Sequence, residues 1–186
     1  MSQRALFVDR PSLLLQEAPD RGQPSIQVHQ KALEDLAQMN PRAFRLFWIG
    51  NDDALAFGRV PEKRHARACA QIQETLAAKK IAAVADYSCP FSLQGAPERR
   101  RDSVFRLPNV GAMKAARLEF EVELDGSWIL SDRAEAMLAG SRAGIRTALI
   151  RSPHNERRYD VTPDLVADDL GSAIRFLTRL QSVLSR

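Results

Sequence analysis

The sequence predicts an α/β protein, a three-layer sandwich whose central parallel sheet carries helices on both faces. Short apolar runs alternate along the chain with helical patterns, and acids or turn residues bound the runs. The runs are apolar throughout, with no polar residue at every second position, as expected of strands buried on both faces.

Taken in order, Ala5 to Val8 is the first strand and ends on Asp9. Pro11 to His29 fits neither template and reads as a long loop or flap. Gln30 to Met39 places Ala32, Leu33, Leu36, Ala37 and Met39 at near-helical spacing, and Pro41 ends the run because the residue before a proline disfavours the helical basin. Phe44 to Ile49 is the second strand. Pro61 to Lys80 opens with a proline at a favourable first-turn position and carries Ala66, Ala70, Ile72 and Leu76 among charges, the pattern of an amphipathic cover helix. Ile81 to Ala85 is the third strand, followed by a Pro- and Arg-rich excursion from Cys89 to Asn109. Val110 to Leu124 reads as a helix stopped by Asp125-Gly126, then come a strand at Trp128 to Leu130 and a helix from Asp132 to Ala143 with Gly144 at its left-handed cap. Thr147 to Ile150, a weak strand at Leu165 to Ala167 and a helix from Leu170 to Leu184 complete the pattern. In an open α/β sheet the ligand crevice lies outside the carboxyl ends of the strands, so the loops after strands are where function is sought.

With 186 residues and 45% hydrophobic content the chain can bury one substantial core, and a single domain over 1–186 is expected. A charged fraction of 27%, with 10 prolines and 9 glycines, excludes a wholly disordered or fibrous chain. The net charge of +4 comes mostly from arginine, with local runs at Glu98-Arg99-Arg100-Arg101 and Glu156-Arg157-Arg158. These arginines interleave with acids and prolines, which favours solvated loops over a nucleic-acid surface. Before Asp9 there are too few apolar residues for a signal sequence or membrane span, so the expected location is the cytoplasm. Cys69 and Cys89 differ in context and make neither a disulfide framework nor a zinc site, so both read as buried or idle thiols.

Two acids stand directly at strand ends, Asp9 and Asp132. If both strands are central and parallel, their carboxylates converge and repel unless a cation lies between them, and Mg²⁺ suits such an oxygen site. Either acid could instead be a helix N-cap.

The order of motifs resembles the haloacid dehalogenase superfamily, in particular its phosphatases that act on heptose bisphosphate and histidinol phosphate. Phe7-Val8-Asp9-Arg10-Pro11-Ser12 resembles their Asp-Arg-Asp-Gly-Thr opening. Leu46-Phe47-Trp48-Ile49-Gly50-Asn51, with Asp52 to Gly58 after it, is similar to a strand ending in Thr-Asn-Gln and a loop closing on Arg-Gly. Tyr87-Ser88-Cys89-Pro90 resembles the start of the family's zinc loop, and Phe105 to Met113 its Cys-Arg-Lys-Pro-x-Pro-Gly-Met segment. Leu130-Ser131-Asp132-Arg133-Ala134-Glu135-Ala136 parallels Val-Gly-Asp-Lys-x-x-Asp. The match runs through nearly the whole chain.

The resemblance implies a Rossmannoid fold in which Asp9 holds the nucleophile position. It implies that the residue two places on is an acid and base, and this chain has Pro11 there, which has no proton to move. The lysine expected before Pro108 is Leu107, which removes a fixed cation from the phosphoryl site. The remaining phosphate-binding candidates are Gly50, in place of a threonine, Asn51 and Arg106. The second acid of the last motif is Ala136, and its lysine is Arg133. Asp9 and Asp132 remain as Mg²⁺ ligands, with the backbone carbonyl of Pro11 as the third. Of the four zinc ligands only Cys89 is present, because Phe91 and Phe105 stand where others are looked for, and no zinc is expected.

The reading is therefore a pseudophosphatase that binds a small phosphorylated metabolite or a protein partner. The alternative is a Mg²⁺-dependent phosphatase with residual or altered activity on a small sugar phosphate, in which Asp52, Asp53 or a residue of the flap stands in for the missing acid. A nucleic-acid module built on Arg99 to Arg101 ranks last, since the sequence places no aromatic stacking residues beside them.

Overall fold

A computed structural model describes residues 3–153 and 161–184; the basic run at 156–158 lies outside them. The elements in chain order are β1 (Arg4–Asp9), α1 (Arg10–Leu13), β2 (Leu15–Glu17), β3 (Ile26–Val28), α2 (Gln30–Leu36), β4 (Arg45–Ile49), α3 (Asp53–Ala56), α4 (Glu62–Ala77), β5 (Ala83–Asp86), a 3-10 turn (Pro97–Arg99), α5 (Gly111–Phe120), β6 (Glu123–Ser131), α6 (Ala134–Ala143), β7 (Arg146–Ile150), β8 (Leu165–Ala167) and α7 (Leu170–Leu184).

Six strands form one parallel sheet in the order β5-β4-β1-β6-β7-β8, with β1 and β6 at its centre. Alternation along β1 builds both faces: Leu6 and Val8 enter the layer shared with α2, α4 and α7, while Ala5 and Phe7 enter the layer shared with α5 and α6. Helices thus cover both faces, as the apolar strands demand, and every predicted strand is present. Phe47 and Trp48 are fully buried core residues of β4.

Two readings of the sequence need correction. The helix expected to run to Leu124 stops at Phe120, where Glu121 turns into the left-handed region at φ 53°, and β6 already begins at Glu123. Asp125-Gly126 is therefore no helix stop. It is an irregularity within β6, where the pairing register with β1 shifts between Arg4 and Leu6, and Gly126 leaves room for the Arg4 guanidinium, whose Nε lies 2.7 Å from where a Cβ would sit. The stretch 11–29, expected as a loop or flap, is also more ordered: it completes α1 and then folds into the antiparallel hairpin β2-β3, with Leu15 opposite Val28. The hairpin was hidden because its inward residues, Leu15, Ile26 and Val28, are too few to show a period. Among the described residues, no helix is long and apolar enough to cross a membrane.

Candidate active site

The two acids singled out in the sequence end the central strands. Val8 of β1 pairs with Leu130 of β6, which sets Asp9 beside Ser131 and one residue from Asp132. Asp9 is 1% exposed and Asp132 3%. Burial pushes the Asp9 carboxyl up to about 7, the charge of Asp132 adds to the rise, and hydrogen bonds from Ser131 and Ser12 oppose it. The two acids are therefore electrostatic neighbours at one end of the sheet. Asp132 caps no helix, since α6 starts from Arg133; its carboxylate accepts the Ser152 hydroxyl at 2.7 Å and lies 3.3 Å from Arg133 Nε.

Both oxygens of Asp9 are already engaged by the protein. The Ser131 hydroxyl donates to Oδ2 at 2.6 Å and itself accepts the Arg133 amide at 2.9 Å, while the Ser12 amide donates to Oδ1 at 3.3 Å. Asp9 thus caps α1 as well as ending β1. Ser131 stands where the resembled motif has glycine, and its position within the quoted motif was the signal that would have found it.

Gly50 completes the arrangement from β4. Its φ of +123° is in the region that L side chains avoid, and a Cβ there would lie 2.1 Å from Asp9 Oδ1 and 2.8 Å from Pro11 Cδ. The Asp9 carboxylate therefore leans over the bare face of Gly50, and the Pro11 ring packs beside it, where the resemblance wants a proton donor. Arg10 turns away from this point: it is buried and pairs with Asp86 at the end of β5.

Asn51 and Arg106, expected to bind phosphate, make hydrogen bonds within the protein. The Asn51 amide accepts the Leu107 N–H at 2.8 Å and donates to the Leu107 carbonyl at 3.1 Å, a reciprocal pair that pins the 89–109 excursion to the end of β4. Arg106 donates to Asp53 Oδ1 and to the Phe91 carbonyl, each at 2.9 Å. The candidate substitute acids are likewise bound: Asp53 by Arg106, and Asp52, as the N-cap of α3, by His65 Nε2 at 2.6 Å. The structure therefore gathers Asp9, Pro11, Gly50 and Asp132 at one point, and uses Asn51 and Arg106 to hold the adjoining loop.

Aromatic and sulfur contacts pack that loop. Phe105 stacks on Tyr87 with ring centres 5.3 Å apart, the Arg101 guanidinium sits 3.6 Å above the Phe91 ring, and Cys89 Sγ faces the Phe91 carbonyl at 3.5 Å. Among the described residues no group of three or more His, Cys, Asp or Glu side chains is placed to hold a metal ion. The sequence reading that no aromatic accompanies Arg99 to Arg101 is corrected by this packing. Phe91 lies beneath Arg101 and 6.0 Å from Arg99, brought there by the fold of the loop, and its face is taken up by those arginines.

Comparison with known proteins agrees with the motif order. The HAD-hydrolase-like family matches residues 104–173. A D-glycero-D-manno-heptose-1,7-bisphosphate 7-phosphatase of Chlorobaculum tepidum is 29% identical over 154 residues, 77% of either chain. The crystal structure of the D,D-heptose 1,7-bisphosphate phosphatase of B. bronchiseptica, complexed with magnesium and phosphate, superposes with a TM-score of 0.75 at 17% identity, over 96% of this chain and 99% of that one. The corresponding phosphatase of Burkholderia thailandensis superposes with a TM-score of 0.59 at 18% identity, over 97% and 99%.

Proposed function

We propose, for a chain that belongs to the haloacid dehalogenase superfamily and resembles its heptose-bisphosphate phosphatases, that the crevice at Asp9 and Asp132 binds a small phosphorylated metabolite with little or no turnover. One observation carries this reading: the Asp9 carboxylate is held on both oxygens by Ser131 and Ser12, with the Pro11 ring beside it.

Phosphoryl transfer to a carboxylate needs a free oxygen in line with phosphorus and a proton for the departing oxygen. Ser131 occupies one Asp9 oxygen. Pro11 offers no proton, and general acid or base catalysis typically supplies about 10² to 10⁴ in rate. Leu107 is buried and uncharged where a cation would offset the phosphoryl charge. Asp52 and Asp53, as partners of His65 and Arg106, are poor substitutes.

The donor set at the strand ends suits Mg²⁺. Two buried carboxylates of like charge meet there, an arrangement that a hard cation relieves. Asp9 and Asp132 would hold the ion, with the Pro11 carbonyl as the third protein ligand that the resemblance implies, and the Ser131 hydroxyl would have to turn from Asp9 Oδ2. Such an ion would draw a phosphate group to the crevice and neutralise its charge.

The test is a phosphatase assay with Mg²⁺ on a panel of sugar phosphates, run with the wild type and Asp9→Asn, beside calorimetry of the wild type with Mg²⁺ and inorganic phosphate. Binding of phosphate without turnover in either protein is the expected result. Turnover that Asp9→Asn abolishes would overturn the impaired reading and establish a working phosphatase on the same scaffold.

A further inference from the structure

We propose that Cys69, served by His65 and Asp52, is a nucleophilic thiol site at the seam of α3 and α4 that reacts with hydroperoxides. His65 and Cys69 stand one helical turn apart on α4, with Sγ 3.6 Å from His65 Nδ1, and His65 Nε2 lies 2.6 Å from Asp52 Oδ2. The imidazole thus faces the thiol with one nitrogen and the carboxylate with the other. A nucleophile, a base within reach of it and a third group that orients the base is the arrangement that activates thiols and hydroxyls.

Burial makes the arrangement more than a surface coincidence. Asp52 is 2% exposed and His65 5%, while Cys69 keeps partial exposure to solvent. A buried carboxylate stays ionised only against a cation or strong donor, and His65 is the side chain that meets it. Burial alone would lower the imidazole, but Asp52 beside Nε2, with Cys69 adding to its effect, raises His65 to about 9. A protonated ring presents its Nδ1 hydrogen to the sulfur.

β3, which packs on α4, offers Ile26, Gln27 and Val28, and α2 offers Glu34 and the Lys31–Asp35 pair. Cys89 supplies an internal contrast: it is 1% exposed and its sulfur meets a backbone carbonyl, with no imidazole. The sequence reads both thiols as idle, yet the pair at positions 65 and 69 on a predicted helix was already visible.

In the reaction the Cys69 thiolate attacks one oxygen of the peroxide. The S–O bond forms as the O–O bond breaks, and sulfur gives up two electrons to the peroxide. The departing hydroxide or alkoxide takes the His65 Nδ1 proton and leaves as water or alcohol, with a sulfenic acid on Cys69 and a neutral imidazole. Nothing in this chemistry involves Asp9 or Asp132, so it stands or falls apart from the phosphoryl-site reading.

The experiment follows each cysteine of the intact protein by mass spectrometry, with iodoacetamide as the alkylating probe and hydrogen peroxide plus dimedone as the sulfenic-acid probe. At pH 7 Cys69 should alkylate roughly tenfold or more faster than free cysteine. Peroxide should place dimedone on Cys69 and leave Cys89 unlabelled. His65→Gln should slow Cys69 toward the rate of free cysteine, with circular dichroism confirming the fold; should that variant unfold, the wild-type rates decide alone. A wild-type Cys69 that alkylates no faster than free cysteine, or that takes no dimedone after peroxide, overturns the proposal.

Discussion

Two buried aspartates near the carboxyl ends of adjacent strands, Asp9 after β1 and Asp52 after β4, are equally hidden from water and meet opposite surroundings. Asp52 faces the imidazole of His65 and caps α3, so its charge is balanced within the fold. Asp9 faces a second acid, Asp132, and is held by hydroxyl and amide donors that only partly offset burial. The difference teaches that burial alone says little about a carboxylate's task. An acid given its cation by the protein ties elements together, whereas an acid left against another acid marks a place where an outside cation is wanted.

The largest effect should come from breaking the balanced pair. His65→Gln leaves the Asp52 charge buried without its cation, and removal of one partner of such a pair costs about 3 to 5 kcal/mol. The pH dependence sharpens the point. His65 is raised from 6.5 to about 9, so its contribution is fully present below pH 6.5 and fades as pH rises through about 9. The gap in urea stability between wild type and His65→Gln should therefore narrow over that window. An unchanged gap would show that the imidazole carries no charge in the folded protein.

Next comes Gly50→Ala, which forces a side chain into a left-handed backbone and within 2.1 Å of Asp9 Oδ1. Strain of this kind costs about 1 to 3 kcal/mol before the collision is counted. A double-mutant cycle isolates the carboxylate's share: with Asp9→Ala as background the collision with Asp9 is gone, while the backbone strain and the close approach to Pro11 Cδ remain. Additive losses would show that the carboxylate does not lean on Gly50.

Ser131→Gly should have a smaller effect on stability, about 2 kcal/mol for the two hydrogen bonds lost, to Asp9 and from the Arg133 amide, while tightening Mg²⁺ binding measured by calorimetry because Asp9 Oδ2 is released. Unchanged Mg²⁺ affinity would show that the hydroxyl is no obstacle at the strand ends.

The sequence made the sheet and both strand-end acids legible because each depends on a local signal, an apolar run followed at once by an acid. It did not show the β2-β3 hairpin, whose strands are three residues each, nor the early end of α5, where a left-handed Glu121 did the work expected of Gly126. Within the crevice, missing groups were easy to read because they are absences at fixed motif positions: Pro11, Leu107, Ala136. What the added groups do was not. Ser131 and Gly50 act jointly on Asp9 from two different strands, and a contact across 122 positions leaves no mark on the local pattern. The bonds of Arg106 were hidden for the same reason, since its partners Asp53 and Phe91 lie 53 and 15 residues away.

Arg106 also supplies the smallest expected effect. It is partly exposed, and its bonds run to Asp53 and to the Phe91 carbonyl, away from Asp9. Arg106→Ala should therefore cost only about 1 kcal/mol of stability, in keeping with partly exposed ion pairs. Affinity for inorganic phosphate should stay within about twofold, since a guanidinium already engaged by a carboxylate and a carbonyl adds little to an anion elsewhere. The loss should fall on the 89–109 segment, whose aromatic packing over Phe91 loosens, and limited proteolysis should cut there sooner than in the wild type. A large fall in phosphate affinity with the loop still protected would place Arg106 at the phosphate and reduce the contrast between the crevice and its surrounding loop, because the cation missing at Leu107 would then have a stand-in.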